Sequence, residues 1–405
     1  TPTTRTQRHD PNDTNPTTRT QRHEPNDRKV LIVTFYGSNF GTCLQNYALT
    51  TELNLLGFDA WSLYNINRNK PPFSIISLAK RAVKKFLALL GVKKYKKIPV
   101  SEREKKFIGF RNKYLNKEIF ISAKEVQNPE NKILFQGFKY VIAGSDMIWG
   151  NFSGTVDELK YYHLDFVEPE KRITYAPSFS FANFVFELVD ERKILLSKFK
   201  KISCREKSGC DMIKKITGLN AQHVLDPTML FNAEHYRKMA KRPLFEIPEH
   251  YALIYLSLDG FPLSKQREYK QIVKAVSEGL GVIDLYCNSS FSFSSEGYAK
   301  YTGPEEFLWL IDHADHVITN SFHGTAFSII FHKKFICMDR STSYDTMKIN
   351  DVLSTFGISH RKYNNDAIIP EGEINYISVE EKLNSMREIS INYLRECLNV
   401  NSGFF

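Results

Sequence analysis

The chain has 405 residues, 42% of them hydrophobic and 25% charged, with a formal net charge of +10. That length accommodates two domains of ordinary size, and the composition is that of a globular chain, not of a disordered or fibrous one. No apolar run approaches the ~20 residues needed to cross a bilayer, and the N-terminus lacks the succession of charged, apolar and small residues of a secretory signal.

The first 27 residues repeat almost perfectly, PTTRTQRHDPND at Pro2–Asp13 and PTTRTQRHEPND at Pro16–Asp27. Such a polar tract cannot bury a core and is expected to be a disordered tail. Folded sequence then opens with RKVLIVTFYGSNFGTCLQNYALTTELNLLGF, which reads as a strand, a glycine-containing turn and a helix, followed by a strand DAWSLYN.

Between Ile75 and Lys117 stand fourteen Lys or Arg against two Glu, a local +12 that leaves −2 for the rest of the chain. The basicity belongs to one segment and comes with no zinc-finger spacing, RNP-type aromatic pattern or helix-turn-helix signal, so no nucleic-acid partner is expected. Within 73–98, Ile76, Leu78, Ala79, Ala82, Val83, Phe86, Leu87 and Leu90 gather on one helical face, with Lys80, Arg81, Lys84 and Lys85 toward the other. This suits an anionic membrane surface, or a solvated helix covering the core.

Strands are expected at 140–145, 172–179, 201–206 and 223–227, with helices near 187–200 and up to Thr217. The alternation restarts beyond Pro243 and Pro248. It gives strands at 251–258 and 281–287, helices at 264–280 and 304–314, the strand HVIT with the helix GTAFSIIF, a strand at 334–338 and helices at 345–356 and 379–398. Strands alternating with helices define an α/β class, and the restart predicts two Rossmann-like domains facing a cleft. The expected division is a tail at 1–27, an N-terminal domain at 28–242 with a basic helical insertion at about 73–117, a C-terminal domain at 243–360, and a helical segment at 361–405 packing back on the first domain.

Ligands of such sheets bind beyond the C-terminal strand ends, where five polar turns fall. The turn after the first strand holds Asn39 between Gly37 and Gly41. It has neither the dinucleotide G-x-G-x-x-G nor the P-loop Lys, and is either a tight turn or a backbone cradle for a sugar or phosphate. Ser145 and Asp146 in AGSDMIWG form a helix cap or Asx-turn, or else supply a general base beside Trp149. Ser178 follows RITYAP. Arg205 and Glu206 end SCRE, as an exposed ion pair or as a guanidinium aimed at a ligand carboxylate or phosphate. The Asp226-Pro227-Thr228 turn is expected to be structural. The fifth turn, Asn320-Ser321-Phe322-His323-Gly324-Thr325, places an imidazole and hydroxyls at a helix N-terminus, a ready anion site, with Lys333, Lys334 and Arg340 downstream.

The six cysteines, Cys43, Cys204, Cys210, Cys287, Cys337 and Cys397, form no C-x-x-C pair, and four lie in apolar runs. A reducing cytoplasm is the expected compartment, and no metal site is expected.

Taken together, NFGTCLQNYAL, AGSDMIW, ITYAPSF, ISCREKSG, VLDPTML and ITNSFHGTAFSIIF, in that order, resemble the polysaccharide pyruvyl transferase family in its bacterial capsule and exopolysaccharide branch. The resemblance spans roughly Lys29 to Ile358. It implies a GT-B-like arrangement and transfer of the enolpyruvyl-derived group of phosphoenolpyruvate to two hydroxyls of one sugar, giving a cyclic pyruvate ketal and phosphate. No cofactor is implied beyond phosphoenolpyruvate as co-substrate. The acceptor is then a sugar of a polysaccharide repeat unit on an undecaprenyl-diphosphate carrier, which would place the enzyme in the cytoplasm, peripherally on the inner face of the plasma membrane.

Carried onto this chain, the resemblance makes His323 and Asp146 catalytic and Arg205 donor-binding, with Ser321, Gly324, Thr325, Asn39, Gly41, Ser145 and Ser178 as further binding positions. Ser321 stands where some branches carry arginine, and Arg340 or Lys348 would supply the missing cation. Met147 stands where glutamine is common. The alternatives are a GT-B-like glycosyltransferase with a nucleotide-sugar donor and an inactive sugar-binding protein.

Overall fold

The computed structural model describes residues 28–400 apart from 36, 67–99, 151–153, 180–187, 259, 286–292, 294–296, 342, 364–368 and 371. The repeat tail and the basic stretch 73–98 lie outside the described residues.

The first half is a parallel sheet of β1 (Lys29–Val33), β2 (Asp59–Asn65), β3 (Glu118–Ile121), β4 (Tyr140–Ala143) and β5 (Arg172–Thr174) in the order β3-β2-β1-β4-β5. A short parallel pair, β6 (Ser203–Cys204) and β7 (Gln222–His223), follows. The second half is the parallel sheet β11-β10-β8-β9, built from β8 (Tyr251–Tyr255), β9 (Gly281–Asp284), β10 (His316–Thr319) and β11 (Lys334–Cys337). These are two Rossmann-like halves of an α/β protein, with a cavity between them.

Strands buried on both faces need continuous apolar runs, and the sequence supplies them. In β1 successive side chains point to opposite faces: Val30 and Ile32 join one core cluster, Leu31 and Val33 the other. β8 repeats the device with Leu253 and Tyr255 on one side and Ala252 and Ile254 on the other.

Seven helices position the cleft: α1 (Phe40–Leu55), α2 (Glu102–Tyr114), α3 (Lys207–Thr217), α4 (Pro304–His313), α5 (Phe322–Ile330), α6 (Ser343–Thr355) and α7 (Tyr376–Cys397). One core cluster runs from β1 and α1 through α4 and α5 to β8 and β10, so the halves share buried apolar surface. At its centre Phe40 stacks on Phe307, ring centroids 4.6 Å apart and 9° from parallel. Polar clasps flank this contact. From α2, Arg103 donates to the carbonyls of Ala299, Thr302 and Ser38 and lies over the Phe40 ring, and Lys106 pairs with Glu306. On the other flank Ser208 of α3 donates its amide and hydroxyl to Asp351 of α6. α7 reaches back over the first half, where Tyr393 Oη bonds Thr174 Oγ1 at 3.0 Å and Ser390 Oγ accepts the Leu225 amide at 2.9 Å.

Most strand expectations run past the observed ends, because the polar tail of each run turns out of the sheet. The expected strand 172–179 stops at Thr174: Ala176 adopts φ +53°, and Pro177 keeps only an isolated bridge to Asp146. β3 carried no alternating signature strong enough to read.

Candidate active site

A cavity of about 290 Å³ opens between the halves, lined by residues from the C-terminal ends of their parallel strands. Asn39 and Thr42 come from the turn after β1 and the first turn of α1, Asp146 and Met147 from the turn after β4, and Arg205 from the end of β6. The second half contributes Ser321, Phe322 and His323 after β10, Arg340 after β11, and Lys348 from α6.

The site is built around a carboxylate that sequence reasoning left as a mere turn residue. Asp226, 1% exposed, caps its own turn through Oδ1, which accepts the Thr228 amide at 3.0 Å and hydroxyl at 2.7 Å. Its other oxygen lies behind the cavity wall, accepting Ser145 Oγ at 2.9 Å and Arg205 Nη1 at 3.0 Å, with His323 Nε2 at 3.5 Å. At that distance and angle the imidazole contact is an ion-pair approach and not a hydrogen bond, so Nε2 has no protein acceptor among the described residues. Burial disfavours the Asp226 charge, but the charge of His323 and its contact, then Arg205 and the Thr228 amide, outweigh it and hold the carboxyl well below the usual range.

Arg205 is a buried ion pair, not an exposed one. Nε donates to Glu206 at 2.8 Å, and the guanidinium lies 3.9 Å over the Phe322 ring. Burial works against its charge, yet Glu206, Asp226 and Asp146 push its pKa above the ordinary arginine value. Glu206 is itself held by Ser178 Oγ at 2.7 Å.

His323 owes its place to a glycine across the cleft. A Cβ on Gly41 would lie 2.1 Å from His323 Nδ1, so only glycine lets the imidazole pack against the first turn of α1. Behind it Ser321 is the N-cap of α5, its Oγ accepting the Gly324 amide at 3.4 Å. The amides of Phe322 and His323, first and second in α5, precede any i−4 acceptor within the helix, and both residues line the cavity.

Asp146 occupies the left-handed region at φ +74°, which aspartate tolerates better than most residues. Its carboxylate accepts Thr42 Oγ1 at 2.8 Å and the Met147 amide at 2.9 Å, while its carbonyl accepts the Ser178 amide at 2.9 Å. Two turns thus fix one another across β4 and β5.

Of the positions read from sequence, His323, Asp146, Arg205, Ser321, Asn39, Arg340 and Lys348 line the cavity. Gly41 abuts His323. Ser145 and Ser178 lie behind the wall, positioning Asp226 and Glu206; Gly324 packs on Thr319; and Thr325 turns its hydroxyl to the Ser321 carbonyl. Trp149 is fully buried against His163 and does not meet the ligand space. Lys333 and Lys334 lie at the far end of the sheet. Thr42, Phe322 as a guanidinium platform, and the second role of Asp226 were not singled out. For Asp226 the available signal was its place at the end of β7.

This chain matches the family model for polysaccharide pyruvyl transferase over residues 39–342, most of its length. It belongs to that family and is accordingly a transferase enzyme. Among solved structures it is similar to UDP-GlcNAc 2-epimerase from Methanocaldococcus jannaschii (TM-score 0.45, 11% identity, 90% of this chain and 93% of that one). It also matches MurG from Acinetobacter baumannii (TM-score 0.38, 10% identity, 93% and 96%). No curated protein matches the chain in sequence.

Proposed function

We propose that the enzyme uses phosphoenolpyruvate to place a cyclic pyruvate ketal on two hydroxyls of one sugar in a polysaccharide repeat unit. The observation that carries this reading is the shared carboxylate: Asp226 holds both Arg205 and His323 at one wall of a cation-lined cavity.

Charge balance supports an anionic donor only in one protonation state. Arg205, Arg340 and Lys348 stand against Asp146, Asp226 and Glu206, three cations to three carboxylates. A trianionic donor therefore gains net attraction when His323 carries its proton, the one it delivers to the methylene carbon. Arg340, Lys348, Arg205 and the N-terminus of α5 hold the carboxylate and phosphate. His323 delivers its proton to the methylene carbon, which becomes the methyl group and leaves an oxocarbenium-like centre. One sugar hydroxyl adds to that centre, giving up its proton to Asp146, which releases it to solvent as His323 takes one back. The second hydroxyl displaces phosphate, and its proton leaves with the phosphate, so one donor and two hydroxyls yield one ketal and one hydrogen phosphate.

Met147, which takes a contact from Lys348 Nζ, sits where acceptor selection is expected. Attachment to a membrane-borne acceptor rests on the amphipathic basic composition of 73–98, and liposome sedimentation unchanged by deleting that stretch would remove it. Among the described residues no helix is long and apolar enough to cross a membrane. The donor is tested by thermal stabilisation: phosphoenolpyruvate is expected to raise the melting temperature and UDP-sugars to leave it unchanged, whereas the opposite pattern would favour the glycosyltransferase reading.

A further inference from the structure

The second sheet carries another cavity, of about 240 Å³, at the opposite end of β10 and β11 from His323. His316 opens β10 and Lys334 opens β11; Lys333, Arg361, Glu373 and Tyr376 complete the charged and polar lining. With β10 rising about 3.3 Å per residue, the two cavities are separated by roughly 10 Å or more of strand.

The pocket has an excess of cations whose fixed partners are neutral. Arg361, 5% exposed, donates Nε to the Phe335 carbonyl at 2.8 Å and Nη1 to the Gly372 carbonyl at 2.9 Å. Lys333 donates Nζ to the Asp312 carbonyl at 2.8 Å. Among the described residues neither has a carboxylate within ion-pair distance. The carboxylates nearby are taken: Asp312 by both nitrogens of the Arg237 fork at 2.9 Å, and Asp315 by the Tyr251 amide and His250. Among the described residues Glu373 is the carboxylate that lines the cavity, paired with exposed Lys334 at 3.1 Å. His316 Nδ1 is buried with no hydrogen-bond partner among the described residues. A buried guanidinium held only by neutral groups is costly unless an anion completes it. A concave site whose described residues supply three cations, one carboxylate and an unmet ring nitrogen has that geometry.

We infer that this cavity is a second anion site, separate from the catalytic cleft, which takes the phosphate group of a small molecule. An anion held here ties the starts of β10 and β11 to the chain entering α7. The inference does not depend on the reaction proposed for the cleft.

The test is calorimetric titration of the full chain with inorganic phosphate, in a His323→Asn/Arg340→Ala background that disables the cleft. One binding event is expected to remain, and Lys334→Glu at an exposed position, or Lys333→Met, is expected to weaken it at least tenfold. In the otherwise wild-type chain, Lys334→Glu is expected to remove one of two phosphate-binding events, a readout independent of whether the cleft variant folds. Phosphatidylglycerol vesicles that compete for the event would identify a lipid headgroup as the phosphate source, and vesicles that do not compete would identify a soluble one. Absence of binding in a folded cleft variant, or binding indifferent to both lysine substitutions, overturns the inference.

Discussion

Arg205 and Arg361 are equally buried, each 5% exposed, and the fold treats them in opposite ways. Arg205 has two carboxylates and an aromatic face, and its proton is held more tightly than in ordinary arginine. Arg361 has backbone carbonyls, and burial lowers its pKa against only weak help from Tyr376, Cys337 and Glu373. The first guanidinium has most of its charge matched before any ligand arrives, so it is a rigid part of a preorganised wall. The second keeps its charge for something that must come from outside. Burial alone therefore does not set how much of its charge a cation keeps for a ligand; the chemical nature of its fixed partners does.

The sharpest way to break the Arg205 side of this contrast is to remove the carboxylate it shares with His323. Asp226→Asn leaves the buried guanidinium with Glu206 alone and takes the carboxylate from beside His323, and a loss of about 3–5 kcal/mol is expected in urea unfolding. The pH dependence gives the sign. Because the folded pKa of Asp226 lies below the unfolded one, its ionised form stabilises the protein above the usual carboxylate pKa of ~4, and that contribution is lost as pH falls. The difference in melting temperature between wild type and Asp226→Asn is thus expected to be widest at neutral pH and to narrow in acid. A gap that does not change with pH would show that Asp226 acts only as a turn cap.

His323→Asn is expected to lower phosphate release from phosphoenolpyruvate by about 10²–10⁴-fold. Near-normal turnover with an unchanged pH profile would exclude His323 as the acid. Gly41→Ala drives a methyl group into the imidazole, and a loss of order 10²-fold in kcat is expected from misplacement alone. Thr42→Val removes one hydrogen bond to Asp146, at a cost of about 1 kcal/mol in stability and a smaller loss of activity.

The sequence made the strand-end turns legible because parallel strands buried on both faces are continuous apolar runs, and their polar interruptions mark the ligand edge. Hence Asp146, Arg205 and His323, 177 positions apart from first to last, could be named together, and the structure brings them to one cavity. Other features were hidden because they depend on pairings across the chain. Asp-Pro-Thr reads as a turn from local chemistry, and it is a turn. Only the proximity of β6, β7 and α5 shows that its second oxygen serves Arg205 and His323. Gly41 read as a turn glycine, yet its constraint comes from an imidazole 282 residues later. Lys333 and Lys334 were grouped with the His323 turn by sequence distance, whereas α5 carries the chain back to the far end of the sheet before they occur.

The central claim is most directly tested by incubating the enzyme with phosphoenolpyruvate and a lipid-linked repeat-unit acceptor, following phosphate release and acceptor mass together. The account predicts one phosphate released for each pyruvate ketal gained, with both lost in His323→Asn. Glycosyl transfer from a nucleotide sugar, with phosphoenolpyruvate left intact, would contradict it.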